Sequence, residues 1–275
     1  MLNSLPFVQS TGGIIASSDL DQEIRATLVS MLIRSVLDWS RDSNIAIVCV
    51  IGSAFFGQED ELHFPVSPDF SMKRPIQAID LTQTSIFPKF IRRMVSKAQR
   101  FNPLLREASS LEEARIVYDL YAMNMRRIGV TPHDWILYQS IFMKARANGW
   151  TRFVWAEAEN GPAAGLILMR HGRMVDYYAL GSTELGRNAQ MNTWLCAQQI
   201  SLARAEGVKW WNWMASPSQQ VHDFKQQWGG VEKAYSIWLW KLGDITALKR
   251  LPPAQLSFHF PGYFVLPYDW LTSPG

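Results

Sequence analysis

Val221-His222-Asp223-Phe224-Lys225-Gln226-Gln227-Trp228-Gly229-Gly230 decides how this 275-residue chain is read. The Trp-rich stretch ahead of it, Val208 to Met214, reads as a buried strand. Ser218 to Trp228 then reads as a short helix, and Lys233 to Lys241 alternates as a final strand. A strand, a short helix ending in Trp-Gly-Gly and a second strand form the closing unit of an α/β fold.

Upstream of this stretch, Asn192 is expected to cap a helix running to Glu206 and closed by Gly207. Before it, Arg152–Glu157, Ala163–Met169 and Arg173–Leu180 alternate around turns at Asn160-Gly161 and His171-Gly172, which predicts a three-stranded meander. Two helices precede the meander. Ser110 with Glu113 makes a capping box ahead of Leu111, Ala114, Val117, Tyr118 and Tyr121, with Gly129 as the stop. Pro132 opens the next, which carries Trp135, Tyr138, Ile141, Phe142 and Ala145 and ends at Gly149. Phe87 to Arg100 is a basic amphipathic helix. Further upstream, Asp19 or Asp21 caps a helix with Ile24, Leu28, Met31, Leu32, Val36 and Trp39 spaced for one face, followed by a strand from Asn44 to Ile51. Residues 57–75 read as a long surface loop, and 251–275 as a Pro- and aromatic-rich strap.

Composition sets the class. Hydrophobic residues are 48% of the chain and charged residues 19%, enough for a sizeable core and against disorder. The twelve tryptophans suggest broad aromatic surfaces in the core or around a ligand. A net charge of +3 is too weak to diagnose nucleic-acid binding by itself. The cations nevertheless cluster at Arg92-Arg93, Lys97, Arg100, Arg106 and Arg126-Arg127, as a solvated helix face or a phosphate-binding patch. Cys49 and Cys196 read as small buried hydrophobes in a reducing compartment. No zinc spacing, P-loop, HExxH or EF-hand pattern is present, so no metal is expected. No signal peptide is legible, and the longest apolar run, Ile45 to Ile51, is too short for an integral membrane segment. A cytoplasmic protein is expected.

Phe224-Lys225-x-x-Trp228-Gly229-Gly230 resembles the closing signature of the Fem-type (FemAB-like) branch of the GNAT acyltransferases. Ser4-Leu5-Pro6-Phe7 with Gly12-Gly13, Ser96-Lys97-Ala98-Gln99-Arg100, Met125 to Val130, Ala163-Ala164-Gly165 and Tyr177-Tyr178-Ala179-Leu180-Gly181 resemble that family at matching places. Two helices, a meander, a helix, a strand, a helix and a strand is also the GNAT element order. The resemblance implies an α/β fold: a GNAT-like mixed sheet flanked by helices, with an abbreviated second GNAT-like subdomain at the N-terminus. The expected boundaries are 1–105 for that subdomain, 106–250 for the acyltransferase domain and 251–275 for the strap. The family's first domain begins well before its S-L-P-F segment, which here starts at residue 4. An open sheet edge follows as an expectation, met by a homo-oligomer, a second subunit or a covering loop.

The resemblance points to Lys225 as the leading catalytic residue, placed to bind a phosphate or to stabilise an oxyanion. Phe224 would shape the channel or stack on a base, or else anchor its helix in the core. Tyr177 and Tyr178 fall on opposite strand faces, with Asp176 on the Tyr178 side, so one tyrosine is core and one faces the cleft. Tyr178 would donate to a leaving group, Tyr177 and Asp176 would hold the acceptor, and Asn212 would orient substrate where the fold splays to admit a donor carbonyl. His222 and Asp223 are a weaker base pair, read first as a surface ion pair. The loop Gly181 to Asn188 lacks the Q/R-x-x-G-x-G/A pattern that cradles pyrophosphate in acyl-CoA-dependent GNATs, although Arg187 remains as a phosphate contact.

The implied function is transfer of an activated aminoacyl or acyl group onto an amine to form an amide. It needs no cofactor beyond its donor, an aminoacyl-tRNA or an acyl thioester. The acceptor is an amine-bearing small molecule or cell-envelope precursor. Two alternatives stand beside it. One is an acyl-CoA- or acyl-carrier-dependent GNAT of exopolysaccharide or specialised metabolism, and the other is a degenerate, non-catalytic GNAT partner subunit.

Overall fold

The computed structural model describes residues 2–3, 20–55, 64–83, 87–216, 219–252 and 255. The Ser4–Phe7 and Gly12-Gly13 segments and nearly all of the strap lie outside them. In chain order the elements are β1 (Leu2–Asn3), α1 (Gln22–Asp42), β2 (Ile47–Ile51), β3 (Phe70–Asp80), α2 (Lys89–Gln99), β4 (Leu104–Glu107), α3 (Leu111–Arg127) and α4 (Trp135–Ala145). Then follow β5 (Thr151–Ala158), β6 (Gly161–His171), β7 (Met174–Ser182), α5 (Glu184–Asn188), α6 (Met191–Ala205), β8 (Trp210–Ala215), α7 (Gln219–Gln226), β9 (Val231–Lys241) and α8 (Thr246–Lys249).

The chain forms two compact units, Met1–Ile76 with Lys233–Gly275 and Gln77–Glu232. The divisions fall inside β3 and β9. The reason is packing: α2 and β4 lie on α6 and β5, whereas β9 returns to pair with β2.

In the first unit, β1 runs parallel to β2, and β2 pairs antiparallel with β9, Val48 opposite Trp240. Asp21 caps α1 by accepting from the Glu23 N–H at 2.8 Å. The helix buries Val29, Ile33 and Leu37 against Val48, Val50, Trp238 and Trp240. Ile24, Leu28, Met31, Leu32 and Trp39, which share the spacing read from the sequence, are exposed instead. Both sides of α1 are apolar, so periodicity alone does not choose between them. The loop expected over 57–75 is also revised, because 70–75 are the first half of β3. There exposure alternates before a fully buried run from Ile76 to Ile79.

In the second unit the strand order is β3-β8-β7-β6-β5-β4. The meander forms as expected, with Gly161 (φ 96°) and Gly172 (φ 56°) supplying the left-handed turn positions that hairpin loops require. Alternation along β5 and β6 separates two cores. Val154, Ala156, Leu166 and Leu168 face α2 and α6. Phe153, Trp155 and Ile167 face α3 and α4. Glu206, just past α6, fastens that helix to the meander through Arg152 (2.5 Å) and Arg170 (2.9 Å).

Three helix starts differ in detail from the sequence reading. Ser110 caps α3, but Glu113 accepts from Ser109. Pro132 lies ahead of α4 rather than in its first turn, and Asp134 caps the helix. Gln190, in a left-handed conformation, stands at the start of α6, and Asn192 donates to the Ser182 hydroxyl instead.

Helix α3 lies hard against β7. A Cβ built on Gly181 would sit 2.1 Å from the Leu120 carbonyl oxygen and 2.5 Å from the Tyr121 nitrogen. Both are backbone atoms and cannot rotate away. Gly181→Ala is expected to destabilise the protein by more than about 3 kcal/mol, read from the urea midpoint at unchanged m-value. A loss below about 0.5 kcal/mol would contradict this close approach.

Candidate active site at the splayed strands

Strands β7 and β8 are parallel but pair over only three positions: Met174 with Trp210, Val175 with Trp211 and Asp176 with Asn212. Beyond that ladder β7 continues to Ser182 and β8 to Ala215. The two strands therefore part at the Asp176–Asn212 pair. A bulge in β7 follows at once, in its pairing with β6. Leu168 pairs with Tyr177 and Ile167 with Ala179, leaving Tyr178 as the extra residue. Tyr178 and Ala179 consequently face the same core, on the α3 side, while Tyr177 and Leu180 face the α6 side.

A chain of buried polar groups holds the point of divergence. The Asn212 side-chain amide donates to Asp176 Oδ1 at 2.8 Å and to Met214 Sδ at 3.2 Å. Its Oδ1 accepts from the Met214 N–H at 2.9 Å. Met214 has φ +61°, a conformation that costs a non-glycine residue about 1–3 kcal/mol and persists only when its surroundings impose it. Lys225, from α7, imposes it from the other side. Its Nζ donates to the Met214 carbonyl at 3.1 Å and to the Ala215 carbonyl at 2.8 Å. Asp176, Asn212 and Lys225 are all at most 5% exposed.

Lys225 is buried: its ammonium lies under the end of β8. Burial lowers its pKa to about 7. No carboxylate answers that charge among the described contacts, so two carbonyl oxygens solvate it.

His171 joins from the surface. Its Nε2 lies 3.3 Å from Asp176 Oδ2, and the hydrogen bond to that carboxylate raises its pKa. The pair is therefore strongest below the usual imidazole range and is lost as pH rises through the raised value. The sequence reading did not select His171. Its signal was the hairpin register: Met169 faces Asp176, so His171, two residues on, shares that face.

The remaining predicted residues divide into three places. Tyr177 and Phe224 pack on Trp213, with ring centroids 5.0 and 5.9 Å away. Trp213 in turn touches Trp211 at 5.5 Å and Trp228 at 5.1 Å. The indole N–H groups of these three tryptophans are buried without a hydrogen-bond partner among the described residues. Tyr178 lies across the sheet against Tyr138, at 6.2 Å. Arg187 is in α5, where its guanidinium donates to the Ser182 carbonyl at 2.8 Å. Asp223 accepts from Gln219 rather than pairing with a cation. No cluster of metal-ligating side chains occurs among the described residues, and no helix there is long and apolar enough to cross a membrane.

Lys225 gives this site a pH signature. The ordinary lysine value is 10.5, and the folded value is about 7. Between the two, the unfolded chain holds the extra proton, so stability rises with pH across that window. Lys225→Met is expected to flatten the rise in denaturant midpoint between pH 7 and pH 10. Parallel wild-type and variant profiles would place the lysine in solvent.

Residues 87–226, just over half of the chain, match the family described as the acetyltransferase (GNAT) domain. No curated relative matches by sequence. Among solved structures, FemX is similar at 11% identity and a TM-score of 0.61, covering 85% of this chain and 81% of that one. The L-PGS of Bacillus licheniformis is similar at 13% identity and a TM-score of 0.59, covering 86% and 78%. The C-terminal domain of a putative lysylphosphatidylglycerol synthetase from Agrobacterium fabrum is similar at 12% identity and a TM-score of 0.54, covering 86% and 79%. At these identities the likeness is one of fold. With the family match spanning the parted strands and Lys225, the chain belongs to the GNAT acetyltransferase family and is an acyltransferase.

Proposed function

We propose that this chain moves an aminoacyl group from aminoacyl-tRNA onto the amine of a small molecule or cell-envelope precursor, in the manner of the Fem-type enzymes it resembles. The observation that carries the reading is the loop ahead of α6. Acyl-CoA-dependent GNATs cradle pyrophosphate there on free backbone amides. Here the Gly186 N–H donates to Thr183 Oγ1 at 3.0 Å, and those of Arg187, Ala189 and Gln190 donate to carbonyls of the same loop at 2.9–3.1 Å. Gly186 is packed so closely that a Cβ would lie 2.1 Å from the Ala163 carbonyl oxygen. The loop is folded shut upon itself. Similarity in fold to a lysylphosphatidylglycerol synthetase domain supports a donor that carries an amino acid.

The chemistry asks little of side chains. The acceptor amine attacks the ester carbonyl carbon, forming a C–N bond. The ester C–O bond breaks, and the proton lost by the amine ends on the departing ribose oxygen. Backbone donors at the parted strands can meet the oxyanion that forms between these steps. In this reading Lys225 and Asn212 act as positioning residues that hold β8, and Asp176 orients Asn212. Tyr178 serves the acceptor side, while Tyr177 and Phe224 wall the opposite one. Arg187 locks the loop rather than touching a phosphate.

One feature favours the acyl-CoA alternative: the first turn of α6 is uncapped by any side chain. Incubation with charged tRNA and, separately, with acyl-CoA pools distinguishes the two, with amine-dependent deacylation as the readout. Turnover is expected with charged tRNA, and coenzyme A should bind more weakly than about micromolar. Sub-micromolar coenzyme A binding with acyl-CoA turnover would overturn the reading. Turnover with neither, nor with carrier-bound donors, would leave the partner-subunit alternative.

A further inference from the structure

Helix α2 with its C-cap Arg100 presents five cations on one side. Lys89, Arg92, Arg93, Lys97 and Arg100 recur at i, i+3, i+4, i+8 and i+11, opposite the buried Ile91 and Ala98. All five are exposed, and no carboxylate pairs with any of them among the described residues. The sequence contains no acidic residue between Asp80 and Glu107, so no neighbour along the chain neutralises the row. Lys89, Arg93 and Lys97 follow one another at about 6 Å along an axis about 16 Å long. Phe90 and Phe101, each about half exposed, flank the row.

The helix begins at the candidate site. Phe87 packs on Trp228 with ring centroids 5.9 Å apart, and a Cβ on Gly229 would lie 3.0 Å from Pro88. Trp228 touches Trp213, next to Met214. The cationic row therefore starts at the turn that closes the Lys225 helix and leads away from it.

We propose that this face of α2 holds the phosphate backbone of the RNA that carries the donor, an assignment that rests on the aminoacyl-tRNA reading above. An unneutralised row of Lys and Arg fits a polyanion, and flanking exposed aromatics fit unpaired bases. A lipid surface fits less well. Insertion would need the apolar side of α2, and Ile91 and Ala98 already bury that side against α6 and the sheet.

The test uses the full chain and uncharged tRNA, with binding followed by fluorescence anisotropy over a salt series. The triple variant Arg92→Gln, Arg93→Gln, Lys97→Gln should bind at least tenfold more weakly. Its slope of log K against log salt should be smaller by about two to three. Arg92→Lys with Arg93→Lys should retain binding, which separates lost charge from lost folding. In transfer assays the triple variant should raise KM for charged tRNA and leave turnover of an aminoacyl-adenosine ester unchanged. Wild-type affinity in the triple variant, or no tRNA binding by the wild type, would overturn the assignment. So would loss of binding to anionic phosphatidylglycerol vesicles with tRNA binding intact. Charge-dependent tRNA binding without any aminoacyl transfer would uphold the α2 face and reject the donor reading instead.

Discussion

Met214 is held in a left-handed conformation from both sides, by Asn212 on its N–H and by Lys225 on its carbonyl. The arrangement of the candidate site depends on this constraint. A regular strand at Met214 would carry β8 onward alongside β7, extending the ladder. With the backbone turned at that point, the ladder stops after Asp176–Asn212 and the strands part. The side chains that enforce the turn are buried and polar, so each must be satisfied, and each is satisfied by another member of the set. Removing one leaves at least one buried group without its partner.

The two faces of the opening are built differently. On the α6 side, Tyr177, Trp211, Trp213, Phe224 and Trp228 form a continuous aromatic cluster. On the α3 side, the bulge turns Tyr178 toward Tyr138 and the other tyrosines of that core. The aromatic cluster is stiff and excludes water, which strengthens any hydrogen bond formed at the opening. It also carries the fold outward to α2 through Phe87, so the cationic helix and the parted strands share one rigid support.

Much of the second unit was legible because its signals are local. The Asn160-Gly161 and His171-Gly172 turns require left-handed residues, and those dipeptides supply them, so the meander is readable. The Trp-rich strand before the Lys225 helix was readable from its composition and its position. What escaped was what depends on packing. A lysine at position 225 looks like a solvated helix residue until the neighbouring strand folds over it. The apolar stripe of α1 looks like a core face because a helix with two apolar sides gives no sign of which one the sheet will cover. The Tyr178 bulge leaves no mark in the sequence, since one extra residue changes register without changing composition. His171 was hidden because its partnership with Asp176 arises across a hairpin.

Asn212 and Lys225 act through one backbone residue, Met214, and a double-mutant cycle reads that coupling. Asn212→Leu, Lys225→Met and the double variant are to be compared by kcat/KM in amine-dependent deacylation. Each single change should lower activity by about ten- to a thousandfold, and the double should be little worse than the poorer single. Such coupling is expected if either loss already releases Met214. Losses that simply multiply in the double variant would mean that the two side chains act independently and that Met214 does not link them.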